Sequence, residues 1–356
     1  MAWACGAGMA AALAASQPAH AASDPLMGLD LGCAEGYALV NLRPNAGGPR
    51  TSTSLSGLTI NGGSTQSVPV SCTPSPTPSG TPPLSGDGHV LLGGRVSYTG
   101  TAAGTPTAMI FANGSSSVTS ANIPVTVGNG WTDQARADAL AVSSYIGSFG
   151  NSGACTGITG TACNYATISL ASGSTRTLTG IGGLNFYDVS SFGSNVQLNF
   201  VGNPNDFFVF NVPTSSIVTN RGWTISGLAP SQILFNLIGQ GQGVSLEAGA
   251  NALGTFLVSS NTNAGCTASS GGNTCNGGTV TMASNTSLYG SLIVINNDSP
   301  VSFGSGSVIH GTPFNPTRLR QVPVPGPLPV LGAATAFGWS RRLRRRLKRA
   351  HPALQS

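Results

Sequence analysis

Charge is what this chain has least of. Asp, Glu, Lys and Arg make 7% of its 356 residues, against about 25% in ordinary soluble domains. The cations are also unevenly placed: seven of the fifteen Lys and Arg are Arg341, Arg342, Arg344, Arg345, Arg346, Lys348 and Arg349. Without that cluster the ten acidic side chains outnumber the basic ones. A body of that kind cannot neutralise a row of phosphates, so no nucleic-acid partner is expected. Close carboxylate pairs are lacking too. Asp188, Asp206, Glu247 and Asp298 stand apart in the β-rich region, and each reads as a solvated turn residue rather than a catalytic acid, base or nucleophile. No G-x-S-x-G accompanies His89 and His310, which read as surface histidines. There is no C-x-x-C, and the four histidines are scattered, so neither metal nor cofactor is implied. The apolar run near the C-terminus, Leu328 to Trp339, is shorter than the roughly 20 residues of an ordinary spanning helix.

What is abundant is small and uncharged. Gly and Pro number 50 and 23, and Ser, Thr and Asn fill much of the remainder. Since 40% of the chain is hydrophobic, in short clusters of Val, Ile, Leu and Phe, it can still build a core. Residues 1–21 are an apolar stretch ending in Ala19-His20-Ala21, the small-x-small form of a signal-peptidase site, with cutting expected before Ala22. Export turns six of the seven cysteines into disulfide candidates. Cys155 with Cys163 and Cys266 with Cys275 each enclose a Gly/Thr/Asn-rich stretch, which leaves Cys33 with Cys72. This sequential scheme is favoured among several that six cysteines permit.

Residues 22–63 read as an N-terminal β segment, and 64–86 as a Pro/Ser/Thr-rich loop or linker. A body at 87–315 follows, with one helix near 131–149, where Thr132 or Asp133 can cap and Ala137, Leu140, Ala141, Ser144 and Tyr145 fall at helical spacing. After Ile168 short apolar runs recur with Gly, Asn or Ser between them, too closely spaced for crossover helices. They predict a mainly β fold: an irregular β-solenoid with one packed helix, the alternative being a β-sandwich. Val196, Leu198 and Phe200 are expected inside, with Gln197 and Asn199 outside. Phe208, Phe210 and Val212 share a direction after the turn Asn203-Pro204-Asn205-Asp206, whose Asn205 and Asp206 lack the further oxygens of a calcium site. Thr-x-Thr occurs only in isolated places, Thr177 with Thr179 and Thr279 with Thr281, and no ladder of fixed period is visible. Asn113, Asn285 and Asn297 head N-x-S/T triplets, a pattern common by chance in such a chain.

"NVQLNFVGNPNDFFVFNV", with "QILFN", "GTFLV" and "GSLIVIN" after it, resembles choice-of-anchor A or collagen-binding-like secreted surface domains. More distantly it resembles the ice-binding β-solenoid family, through Gly202 to Phe210. The tail resembles the PEP-CTERM sorting signal in a variant form: Pro323, Val324, Pro325, Gly326, Pro327, Leu328 and Pro329, then an apolar helix, then the basic cluster, all within 322–350. That resemblance implies an exosortase-like processing enzyme and the membrane as partners of the tail, with the cations held cytoplasmic.

Together these readings give a non-enzymatic exported protein of the cell envelope, surface or extracellular matrix. Its expected role is structural or adhesive, against extracellular polysaccharide or other surface proteins. The alternative is an ice- or carbohydrate-binding module, and a second alternative is a solenoid polysaccharide hydrolase or lyase. A flat Ser/Thr ladder on one face would separate the first alternative from the others.

Overall fold

The computed structural model describes residues 29–42, 51–55, 57–62, 72, 86–93, 96–99, 103–104, 109–110, 117–119, 125–126, 131–149, 155, 158, 161–239, 241–259, 278–295 and 300–315. Short strands bounded by small-residue turns wind into coils, and strands of successive coils pair in parallel. Parallel stacking of this kind is a β-solenoid rather than a sandwich of antiparallel sheets. Three sheets, of 13, 7 and 3 strands, form its sides.

The coils are not stacked in chain order. One end holds Ala162–Leu170 and Thr175–Thr179, followed by Gly183–Phe192 with Gln197–Val201, then Phe207–Val212, Ile217–Thr219 and Thr224–Ser226. Winding continues through Ile233–Leu237, Val244–Leu246, Asn251–Ser259, Val280–Met282, Ser287–Ile295, Val301–Phe303 and Ser307–Gly311. At that point the N-terminal strands take over. Tyr37–Leu42 pairs with Ser287–Ile295, Thr51–Ser54 with Val301–Phe303, and Leu58–Asn61 with Ser307–Gly311. Gly86–Gly93 and Val96–Thr99 extend the stack further. The described strands of residues 22–63 thus form a coil paired on both sides with later strands.

The helix Trp131–Gly147 lies against the largest sheet. The residues it buries are Trp131, Thr132, Ala135, Ala139, Val142, Ser143 and Ile146. The face expected from sequence, Ala137 to Tyr145, is turned the other way: Ala137, Ala141 and Ser144 are exposed. Alanines on both sides made the two stripes look alike, and the true one is marked by its bulky members. The helix also starts at Trp131, which places Thr132 and Asp133 inside its first turn, where an acidic side chain suits the positive end of the helix. Ser143 Oγ donates to Asn236 Oδ1 at 2.7 Å, lies 2.6 Å from Ser259 Oγ, and its carbonyl accepts from Asn236 Nδ2. Near the middle of the helix, Asp138 Oδ2 accepts from the Cys33 amide at 2.8 Å.

Because the helix covers one sheet and the core the other side of it, strands such as Phe207–Val212 and Ile233–Leu237 are buried throughout. Inside, Tyr187, Phe210, Phe235 and Phe256 stack coil upon coil, with ring centroids 5.2, 4.6 and 5.0 Å apart. Each fully buried Phe contributes about 1.5–3 kcal/mol. Val196, Leu198 and Phe200 point inward and Gln197 and Asn199 outward, as the alternation requires. Gly254, at φ +98°, stands where a long strand turns a corner, and a Cβ there would lie 2.7 Å from the Ile233 side chain.

Candidate functional site

The seven-stranded sheet carries strands whose middle residue alone is open to solvent. Ile217–Thr219, Val244–Leu246, Val280–Met282 and Val301–Phe303 each read buried, half-exposed, buried. Ile217, Val244, Val280, Val301 and Thr53 stack in one inward column. The adjacent outward column is Val218, Ser245, Thr281, Ser302 and Ser54. Four of these five positions are Ser or Thr. Thr281 Oγ1 donates to Ser245 Oγ at 3.1 Å across 36 residues of sequence. The same strands contain no Asp, Glu, Lys or Arg. Parallel pairing fixes neighbouring rungs about 4.8 Å apart, so the column is a rigid row of hydroxyl groups on an uncharged surface.

Thr281 was visible in the sequence as half of an isolated Thr-x-Thr, and the ladder around it was not. The sequence shows no ladder of fixed period, and the structure builds one without a fixed period. The rungs come from coils of unequal length, and after Ser302 the next rung is Ser54, from the other end of the chain. No fixed period connects them.

The third side of the solenoid is more mixed. Thr175, Thr177 and Thr179 are exposed, but in the stack beyond Thr177 come Asn199 and Thr224, and Thr224 Oγ1 donates to Asn199 Oδ1 at 2.9 Å. Further along this side Tyr289 stacks on His310, 4.2 Å between centroids and 3° from parallel. Partial burial lowers the His310 pKa from the usual histidine value.

Two residues expected at the surface are inside. His89 is fully buried. Asp206 is fully buried as well, and its carboxyl group is met by donors: Gly182 N at 2.6 Å, Gly183 N at 3.2 Å and Asn185 Nδ2 at 3.1 Å on Oδ1, and Asn203 N at 2.8 Å on Oδ2. A Cβ on Gly180 would overlap that carboxyl group, and one on Gly202 would lie 2.9 Å from Oδ2. Asp206 therefore ties the turn 203–206 to the turn of the preceding coil, which is a structural task. Burial for want of charge partners is hard to see in sequence; the glycines at 180, 182, 183 and 202 were the available signal. Asp188 accepts from Asn211 Nδ2 at 2.9 Å, and Glu247 is half-exposed. Among the described residues no cluster of three or more His, Cys, Asp or Glu could hold a metal ion.

Disulfides join Cys33 to Cys72 and Cys155 to Cys163. Cys266, Cys275, Asp298, the cleavage site at Ala19 to Ala22 and the whole tail 322–350 lie outside the described residues. Among the described residues no helix is long and apolar enough to cross a membrane.

No protein-family model and no curated protein matches the chain. Solved structures similar to it include an ice-binding protein of the Antarctic ascomycete Antarctomyces psychrotrophicus, at 14% identity over 80% of this chain and 98% of that one, TM-score 0.39. An ice-binding protein from an Arctic yeast is similar at 14% identity over 80% of this chain and 94% of that one, TM-score 0.41. A domain of a Shewanella frigidimarina ice-binding protein follows at 13% identity, covering 79% and 97%, TM-score 0.38. At such identities and scores the likeness carries no functional weight, and the ladder has to supply it.

Proposed function

We propose that this is a non-enzymatic exported protein that binds ice through the hydroxyl ladder of the seven-stranded sheet. The observation that carries the reading is the column Ser245, Thr281, Ser302 and Ser54, in register on parallel strands without a charged residue. A crystal of water is a periodic array of donors and acceptors, and binding it needs groups repeated at fixed spacing on a flat support. Individual hydroxyl contacts to ordered water are weak. A row of them held by a solenoid backbone acts together, with little ordering left to do on binding. Ionic side chains would impose their own hydration shells, and these strands have none.

The two disulfides support an oxidising, extracytoplasmic location. The surface-adhesive role that the sequence put first rests on the body's resemblance to choice-of-anchor A or collagen-binding-like domains and on the tail at 322–350. Processing of that tail by an exosortase-like enzyme remains a proposal about those residues alone. The ladder favours the ice-binding alternative.

The test is thermal hysteresis and inhibition of ice recrystallisation by the purified protein. Thr281→Tyr places a bulky ring in the middle of the row and is expected to remove most of the activity with the melting temperature unchanged. Thr177→Tyr, on the third side, is expected to leave activity intact. Wild-type protein that neither shapes ice nor slows recrystallisation overturns the reading.

A further inference from the structure

Among the described residues, no further coil stacks on one end of the solenoid. Ala162–Leu170 is the last strand of the 13-stranded sheet and Thr175–Thr179 the last of the three-stranded one. Among the described residues, each pairs on one side alone. A strand of that kind presents a row of unpaired N–H and C=O groups, a template for another chain. The core reaches this coil undiminished: Ile168, Leu170 and Leu178 are buried members of it, and Ala166 packs on it. A second copy could in principle carry on the same columns.

One residue stands against that. Along Thr175–Thr179 the outward positions are Thr175, Thr177 and Thr179, which leaves 176 and 178 on the core side. Leu178 registers with Phe200 and is buried. Arg176 registers with Leu198, itself fully buried, yet Arg176 is exposed. Core-facing register and solvent exposure coincide at a coil on which, among the described residues, no other stacks. Arg176 is also the single charged residue in the two end strands, whose sequences are ACNYATISL and TRTLT. Its charge reaches the hydroxyl of Tyr187, the first ring of the internal stack, and acts on it against the larger effect of burial.

We propose that Arg176 is a guard residue that keeps this end of the solenoid from stacking on a second copy of the chain. A docked copy would carry the guanidinium out of water into a site continuous with an apolar column, and an unpaired buried charge is among the costliest things an interface can hold. If two such ends met symmetrically, two guanidinium groups would face one interface. The threonines beside it offer no such obstacle, which makes one cation responsible for the whole end.

The experiment is sedimentation velocity on the purified full chain over a wide concentration range. Wild type and Arg176→Lys are expected to stay monomeric. Arg176→Leu is expected at least to double the weight-average mass as concentration rises. A shared melting temperature and near-ultraviolet dichroism at low concentration establish that the variant is folded. To locate the contact, Arg176→Leu combined with Thr177→Cys is expected to form a disulfide-linked dimer on mild oxidation. The proposal is overturned if Arg176→Leu stays monomeric, if Arg176→Lys associates equally, if wild type already associates through this end, or if the oligomer of the double variant fails to cross-link.

Discussion

Asp206 owes its place to the four N–H groups that meet its carboxyl oxygens. Removing the carboxyl group with Asp206→Ala leaves the buried Gly183 N–H and the part-buried Gly182 and Asn203 N–H groups without this acceptor, at about 1–3 kcal/mol for a buried group, so a loss of at least about 3 kcal/mol in chemical denaturation is expected. Asp206→Asn keeps an oxygen for Gly182, Gly183 and Asn185 and turns an amide N–H towards the Asn203 N–H. It should cost less, about 1–3 kcal/mol, and equal losses for the two variants would contradict the hydrogen-bond account. His310 makes a second prediction at this scale. Burial disfavours its protonated form, so the folded chain holds fewer protons than the unfolded one once pH nears the free histidine value of about 6.5. Its contribution is complete above that value and declines as pH falls below it. The melting temperature of the wild type should therefore drop more between about pH 7 and 5 than that of His310→Gln; parallel curves would assign the dependence elsewhere.

Among elements, the helix shows how much a pattern can carry. Its existence followed from residues at helical spacing, Ala137, Leu140, Ala141, Ser144 and Tyr145, after a candidate cap at Thr132 or Asp133, but its orientation was decided by Ser143, which meets Asn236 and Ser259 from two different coils. A serine in a helix gives no hint of such partners, because both lie about a hundred residues away in a stack whose order is not that of the sequence. Ser143→Ala would leave Asn236 Oδ1 short of a donor in a buried site. A loss of about 1–3 kcal/mol is expected, together with faster amide exchange along Trp131–Gly147 than in the wild type. A variant as stable as wild type would mean that the apolar contacts of Ala135, Ala139, Val142 and Ile146 hold the helix unaided.

For the whole molecule, the sequence was legible wherever a strand's own alternation carried the information. Val196, Leu198 and Phe200 showed their direction, and short spacing ruled out crossover helices. What could not be read was anything that depends on which coil sits beside which. The ladder is the clearest case, since Ser302 and Ser54 become neighbours only through the stacking of the N-terminal coil on Ser287–Ile295 and its successors. The same stacking has a kinetic side. During synthesis Tyr37–Leu42 emerges first, yet one of its two partner strands, Ser287–Ile295, is made almost last. Contacts so distant in sequence close slowly. The early coils must therefore wait with one edge unpaired while the rest of the chain is made, and an exported chain of this design gains from crossing the membrane before its two halves can meet.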